Sequence, residues 1–178
     1  NVNIITNAVQ LATMNGHIEV IKLLMEWGVP CCWIAWFNAS YYGHFDIVKL
    51  LLEWDGSYIN DGMQYAAEGG HTDIVRLLIE NGATDFKSVV ITATRYGHIE
   101  IIKLFKEWNV VENLEDVMSN AARYGHTDIV MLCKEYGAVD YNTAIIWAAA
   151  EGQIDIVVML KEWGADDFVI AAQEAVKN

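Results

Sequence analysis

Five histidines recur at near-constant spacing: His17, His44, His71, His98 and His126. Each follows a glycine and stands two residues before an acid: Glu19, Asp46, Asp73, Glu100 and Asp128. Imidazole and carboxylate at such spacing could hold a metal ion or trade protons as acid and base. Both tasks need unlike residues converging on one point, and a ladder that offers the same residue once per repeat does not converge. In a sixth copy the slot holds Gln153, whose amide hydrogen-bonds well but ligates metals poorly. The ladder is therefore expected to be a structural hydrogen-bonding position at a turn. The carboxylates are expected to be first-turn and surface charges rather than a catalytic pair. No glycine-rich phosphate loop and no nucleophile beside a base is present, and Cys133 falls on an apolar stripe. No catalytic residue, metal site or cofactor is expected, so the chain is read as a non-enzyme.

The elements that carry these residues repeat as well. Anchored on Gly16, Gly43, Gly70, Gly97, Gly125 and Gly152, the steps are 27, 27, 27, 28 and 27 residues. Four residues before each anchor is alanine: Ala12, Ala39, Ala66, Ala93, Ala121 and Ala148. Ten residues after it is glutamate: Glu26, Glu53, Glu80, Glu107, Glu135 and Glu162. After the anchor, apolar residues stand at i, i+1, i+3 and i+4, as in Ile101, Ile102, Leu104 and Phe105. That spacing is one face of a short helix, with the acid in its first turn where the helix dipole favours negative charge. Gly28, Gly82, Gly137 and Gly164 close these helices as left-handed caps, with Asp55 and Asn109 expected to stand in for the other two. The recurrent glutamate sits near a helix C-terminus, where the dipole opposes it, so Lys22, Lys49, Arg76 and Lys103, four residues earlier, are its expected partners.

The segment before each anchor, such as "MQYAAEG", reads as a second helix whose small residues admit a close neighbour. Isolated hairpins of such short helices are marginal in water, whereas stacked ones bury a continuous core. The segment "SVVITAT", Ser88 to Thr94, is β-branched and favours a strand by propensity. Register places it in the first helix of its repeat, and register is the stronger constraint.

The motif G-H-x-[DE]-[IV]-V-x-L-L preceded by A-A-x-x resembles the ankyrin repeat, over essentially the whole chain. The expected fold is all-α: an ankyrin-type helix-turn-helix solenoid of six units plus the first helix of a seventh, a single domain over residues 1–178. Two departures stand out. The only proline is Pro30, so no T-P box exists, and Gly82 to Gly97 is too short for a projecting hairpin finger. Thr84, Asp85 or Asp140 is expected to cap the next helix in its place. Ile5, Cys32, Ile59, Phe86, Leu114 and Tyr141, eleven residues before the anchors, are expected to plug the gap between units. The short, fingerless, tryptophan-rich form resembles arrays encoded by giant DNA viruses of amoebae. Phe168 and Ala175 match positions of a seventh unit, so the chain is read as part of a longer array that stacks onto further repeats at both ends.

Composition narrows function further. A net charge of −13 opposes nucleic-acid binding, which depends on neutralising phosphates with Lys and Arg. No apolar run approaches a membrane span. Cys31, Cys32 and Cys133 are odd in number and two are adjacent, which is no disulfide framework and points to a reducing, intracellular setting such as the cytoplasm, a virion or a host cell.

In ankyrin arrays the two residues before the anchor glycine face a concave groove. Here they include Tyr41, Tyr42, Arg95, Tyr96, Arg123 and Tyr124. Tyr and Arg are enriched at interface hot spots, so these six are the expected partner-binding residues, and another protein is the expected partner. Trp27, Trp54, Trp108 and Trp163, with Tyr136 in the same slot, either fill space beside the short connection or form an exposed ridge. Two functions follow: a protein–protein interaction module, or, as the alternative, a structural or assembly segment of a longer repeat protein.

Overall fold

A computed structural model describes residues 2–30, 33–111 and 113–166. Over these run twelve α-helices, one 3-10 turn and no strand. Cys31, Cys32 and the helix expected around Phe168 and Ala175 lie outside the described residues. The pairs are α1 (Val2–Met14) with α2 (Ile18–Glu26), α3 (Trp33–Tyr41) with α4 (Phe45–Trp54), and α5 (Ile59–Gly69) with α6 (Thr72–Glu80). They continue as α7 (Phe86–Tyr96) with α8 (Ile99–Glu107), α9 (Leu114–Tyr124) with α10 (Thr127–Glu135), and α11 (Tyr141–Ala150) with α12 (Ile154–Glu162). Helix α7 takes in the whole of Ser88–Thr94, so register overrides strand propensity there.

One hydrogen bond explains the fixed distance from alanine to histidine. The His44 N–H donates to Ala39 O at 2.8 Å, and the same bond recurs from His71 to Ala66 at 2.8 Å and from His126 to Ala121 at 2.9 Å. This closes the first helix of each repeat with a left-handed residue at the anchor, such as Gly125 at φ 83°. The alanine side chains are buried throughout the ladder.

The described residues divide into two compact blocks at Val89 and Val90. In the first, α1, α3 and α5 pack side by side, with α2, α4 and α6 as a second layer beneath them. Its core joins Ile21, Ile47, Val48, Leu51, Ile74, Val75 and Leu78 to the alanine ladder and to Trp36, which is fully buried. Trp36 fits because Gly62 faces it: a Cβ on Gly62 would lie 2.5 Å from Trp36 Cε3. In the second block α9 packs on α10 and α11, and α11 on α12, around Ile129, Val130, Cys133, Ile145, Ile156 and Leu160.

Four local expectations change. Asn109 does take the left-handed cap, at φ 56°, but Asp55 is extended, at φ −159°. Its carboxylate instead accepts the Ser57 N–H at 2.9 Å and the Ser57 hydroxyl at 2.5 Å, which starts the 3-10 turn Gly56–Tyr58. A side chain that satisfies nearby donors removes the need for the left-handed turn. Lys22 and Lys103 pair not with the glutamate ahead but with the first-turn acids behind, Glu19 and Glu100, both at 2.7 Å. The N-terminal partner of a lysine one turn away is the favoured arrangement on a helix face. Ile5 is exposed, and Ile59, Phe86, Leu114 and Tyr141 are only half-buried, because the start of the first helix lies at the edge of the stack. The buried plug is the residue after the closing glycine, as at Ala83, Ala138 and Ala165. Asp85 and Asp140 accept from Ser88 N and Thr143 N as caps, whereas the Thr84 N–H donates to Asn60 Oδ1.

Candidate functional site

The histidine ladder fixes the backbone of the residues expected to bind. His44 Nε2 lies 2.9 Å from Met14 O, His71 Nε2 2.9 Å from Tyr41 O, and His126 Nε2 2.8 Å from Arg95 O. A carbonyl can only accept, so Nε2 carries the hydrogen in each. Gln153 substitutes its side-chain amide, donating to Arg123 O at 3.4 Å. Each bond ties a repeat to the residue two before the anchor glycine of the preceding repeat. At Gly16, Gly43 and Gly97 the anchor must also lack a side chain, because the incoming ring packs over it: a Cβ on Gly97 would lie 2.7 Å from two atoms of the His126 ring. No group of three His, Cys, Asp or Glu side chains placed to hold a metal ion occurs among the described residues. Burial pushes the Cys133 thiol up to about 12, which leaves it a poor nucleophile.

A second bridge replaces the missing finger. Glu115, in the first turn of α9, accepts the Val139 and Asp140 N–H groups on its two oxygens, each at 3.0 Å. Asn60 accepts from Thr84 N at 2.8 Å and Asp85 N at 3.1 Å. Asn142 exchanges hydrogen bonds with Asp166, at 2.9 Å in both directions. All three occupy the slot ten residues before an anchor glycine, and each ties the first helix of a repeat to the connection leaving it.

In the first block, Tyr41 ends α3 half-buried, with its ring stacked on Phe37 at 5.6 Å and edge-on to Tyr42 at 5.1 Å. Tyr42 is 45% exposed. Phe37 also meets Tyr65 edge-on at 4.8 Å and Trp33 at 6.4 Å. Trp33, Phe37 and Tyr41 are four residues apart on one helix face, a spacing that marks the cluster in the sequence itself.

In the second block, Arg95 and Tyr96 end α7, and Arg123 and Tyr124 end α9. The guanidinium carbons of Arg95 and Arg123 each lie 5.8 Å from the centre of the Tyr124 ring. Arg123 also lies 4.8 Å from the Trp147 ring centre and pairs through Nε with Glu151 Oε1 at 2.9 Å. Tyr96 is 46% exposed, Tyr124 38% and Trp147 42%. Trp147 carries no periodic signal, since other repeats place unrelated residues in its slot.

The tryptophan row divides between its two readings. Trp27 is 70% exposed, while Trp163 is half-buried, edge-on to Tyr141 at 5.6 Å and beneath the Lys134 ammonium at 3.9 Å. Lys106 stands over Tyr136 in the same way, at 5.6 Å.

Residues 36–116 and 90–169 match the family described as Ankyrin repeats (3 copies). The chain belongs to the ankyrin-repeat family. Comparison with curated protein sequences gave no match. Among solved structures, the ankyrin repeat domain of human ASB11 superposes with a TM-score of 0.73 at 23% identity, over 89% of this chain and 84% of that one. At that identity the likeness shows a shared ankyrin fold. The sequence motif, the family match and this fold agree that the short repeats are ankyrin repeats despite the absent finger. No helix among the described residues is long and apolar enough to cross a membrane.

Proposed function

We propose that the chain is a protein–protein interaction module, one repeat domain over residues 1–178 with no catalysis of its own, and that Tyr41, Tyr42, Arg95, Tyr96, Arg123 and Tyr124 belong to its recognition surface. Ankyrin repeats generally act as such modules. The observation that carries this reading is a division of labour at the end of each first helix. The main-chain oxygens of Tyr41, Arg95 and Arg123 are held by the next repeat, while the aromatic side chains beside them are exposed. A surface whose backbone is already ordered loses less entropy on binding. With a net charge of −13, the partner is a protein rather than nucleic acid. The odd number of cysteines, with Cys31 and Cys32 adjacent, is no disulfide framework and suits a reducing, intracellular setting.

The test is photo-crosslinking in cells that produce the chain, with the photoreactive residue at position 96 or 124 and, as control, at 49 or 103. Adducts to a discrete partner from 96 and 124 alone support the surface. Adducts from 49 and 103 alone put recognition on the second helices of the repeats instead.

One observation favours the second reading, an assembly segment. Val20 and Leu23 of the first repeat are exposed, while Ile47 and Ile74, at the position of Val20 in the next two repeats, are buried against their neighbours. A further repeat stacked there would cover both. In that case the chain would sediment as a multimer, or only within a larger assembly, and Val20→Glu with Leu23→Glu would release it as a monomer.

A further inference from the structure

We propose that the Arg95 and Arg123 cluster takes an acidic peptide segment, and that Glu151 holds Arg123 beforehand as an internal stand-in for the partner's carboxylate. This rests on the interaction reading above and names the chemistry of the partner. The chain carries 24 acidic residues against 11 Lys and Arg, so most of its surface repels an acidic partner. Two of its three arginines nevertheless stand over one ring, that of Tyr124.

The donors point to what is bound. A guanidinium has five N–H groups in a planar fork matched to carboxylate oxygens. Arg123 meets Glu151 through Nε, a side-on contact that leaves the outer edge of the fork for a second carboxylate. Arg95 is exposed, with its guanidinium against the face of Tyr124. Stacking on rings holds both forks in place, so fewer rotamers are lost on binding. The Arg123–Glu151 pair is exposed on both sides, at 40% and 42%, and pairs of that kind contribute little net stability. An incoming carboxylate therefore displaces or joins Glu151 at small cost. Trp147, exposed beside Arg123, offers a flat apolar surface to a residue flanking the acid.

The experiment selects a displayed library of random short peptides on the purified chain and measures the affinity of individual binders. The expected binders are enriched in Asp and Glu next to an apolar residue. Arg95→Ala with Arg123→Ala should weaken them about tenfold or more, and Glu151→Gln should tighten them several-fold by freeing Arg123. Arg95→Lys with Arg123→Lys keeps charge and stem but loses the fork, and should weaken binding nearly as much with an unchanged melting curve. Binders without acidic preference, or indifferent to the arginine variants, overturn this inference and leave the interaction reading standing. A Glu151→Gln chain that binds no tighter overturns the stand-in role. A library that yields no binder overturns both.

Discussion

The Nε2 of His126 lies 2.8 Å from the main-chain oxygen of Arg95, a full repeat earlier in the chain. The same ring packs against Gly97, which has no room for a side chain. One imidazole thus fixes the distance between two repeats and the main-chain position of Arg95, a candidate binding residue. His126→Ala should cost about 1 kcal/mol or more, since it leaves the Arg95 carbonyl without its partner. His126→Gln should cost less, because Gln153 makes the equivalent bond to Arg123 O, although at 3.4 Å. Chemical denaturation of the two variants checks the order. Equal losses would mean that ring packing outweighs the hydrogen bond.

Gly62 lies inside α5, where alanine is ordinarily preferred to glycine by about 1 kcal/mol. Here Gly62→Ala should lower the melting temperature, because its Cβ would stand 2.5 Å from Trp36 Cε3 and overpacking a tight core typically costs ~1–3 kcal/mol. In a Trp36→Leu background the same change should be far less harmful. Additive effects would show that the ring and the glycine do not compete for the same space.

Ala121 is fully buried in the second block. Ala121→Leu should destabilise by about 1–3 kcal/mol by forcing α9 away from its neighbours. A melting curve identical to that of the parent chain would count against close packing at the ladder.

Glu115 holds two consecutive amides, those of Val139 and Asp140. Glu115→Gln keeps one acceptor oxygen and should release one of them, and Glu115→Ala should release both. Native-state hydrogen exchange at these two amides should speed up in that order. Unchanged protection in the alanine variant would assign the stability of this connection to other contacts.

The Thr143 hydroxyl, at 2.6 Å, and the Thr143 N–H, at 3.0 Å, hold the Asp140 carboxyl below its usual range. The ionised form therefore binds the folded state better. Its contribution is fully present above the unfolded value, about 3.9, and is lost as pH falls through the lower folded value. Asp140→Asn removes the charge but keeps a capping side chain. The difference in stability between parent and variant should be constant near neutrality and shrink in acid. A difference that grows on acidification would reverse the sign of this coupling.

The recurring parts of the fold were legible because each copy restates the same short-range rule. Glycine at a left-handed turn, alanine four residues before it and an apolar stripe after it all act within a repeat or on its immediate neighbour. The sequence alone therefore determined the paired helices of the six described repeats, the helix at Ser88–Thr94, the ankyrin family and a structural role for the histidines. What happens once has no periodicity to reveal it. Asp55 turned extended because Ser57 happens to lie within reach of its carboxylate. Lys22 and Lys103 found acids one turn behind them. Trp36 could be buried only because the next repeat supplies Gly62. At the candidate site, the residue types at positions 95, 96, 123 and 124 were plain to read, but the closure of Arg123 onto Glu151 and Trp147 was decided by the packing of α9 against α11. Which side chains meet across that seam depends on the offset and rotation between neighbouring helices, and those follow from core packing rather than from distance along the chain.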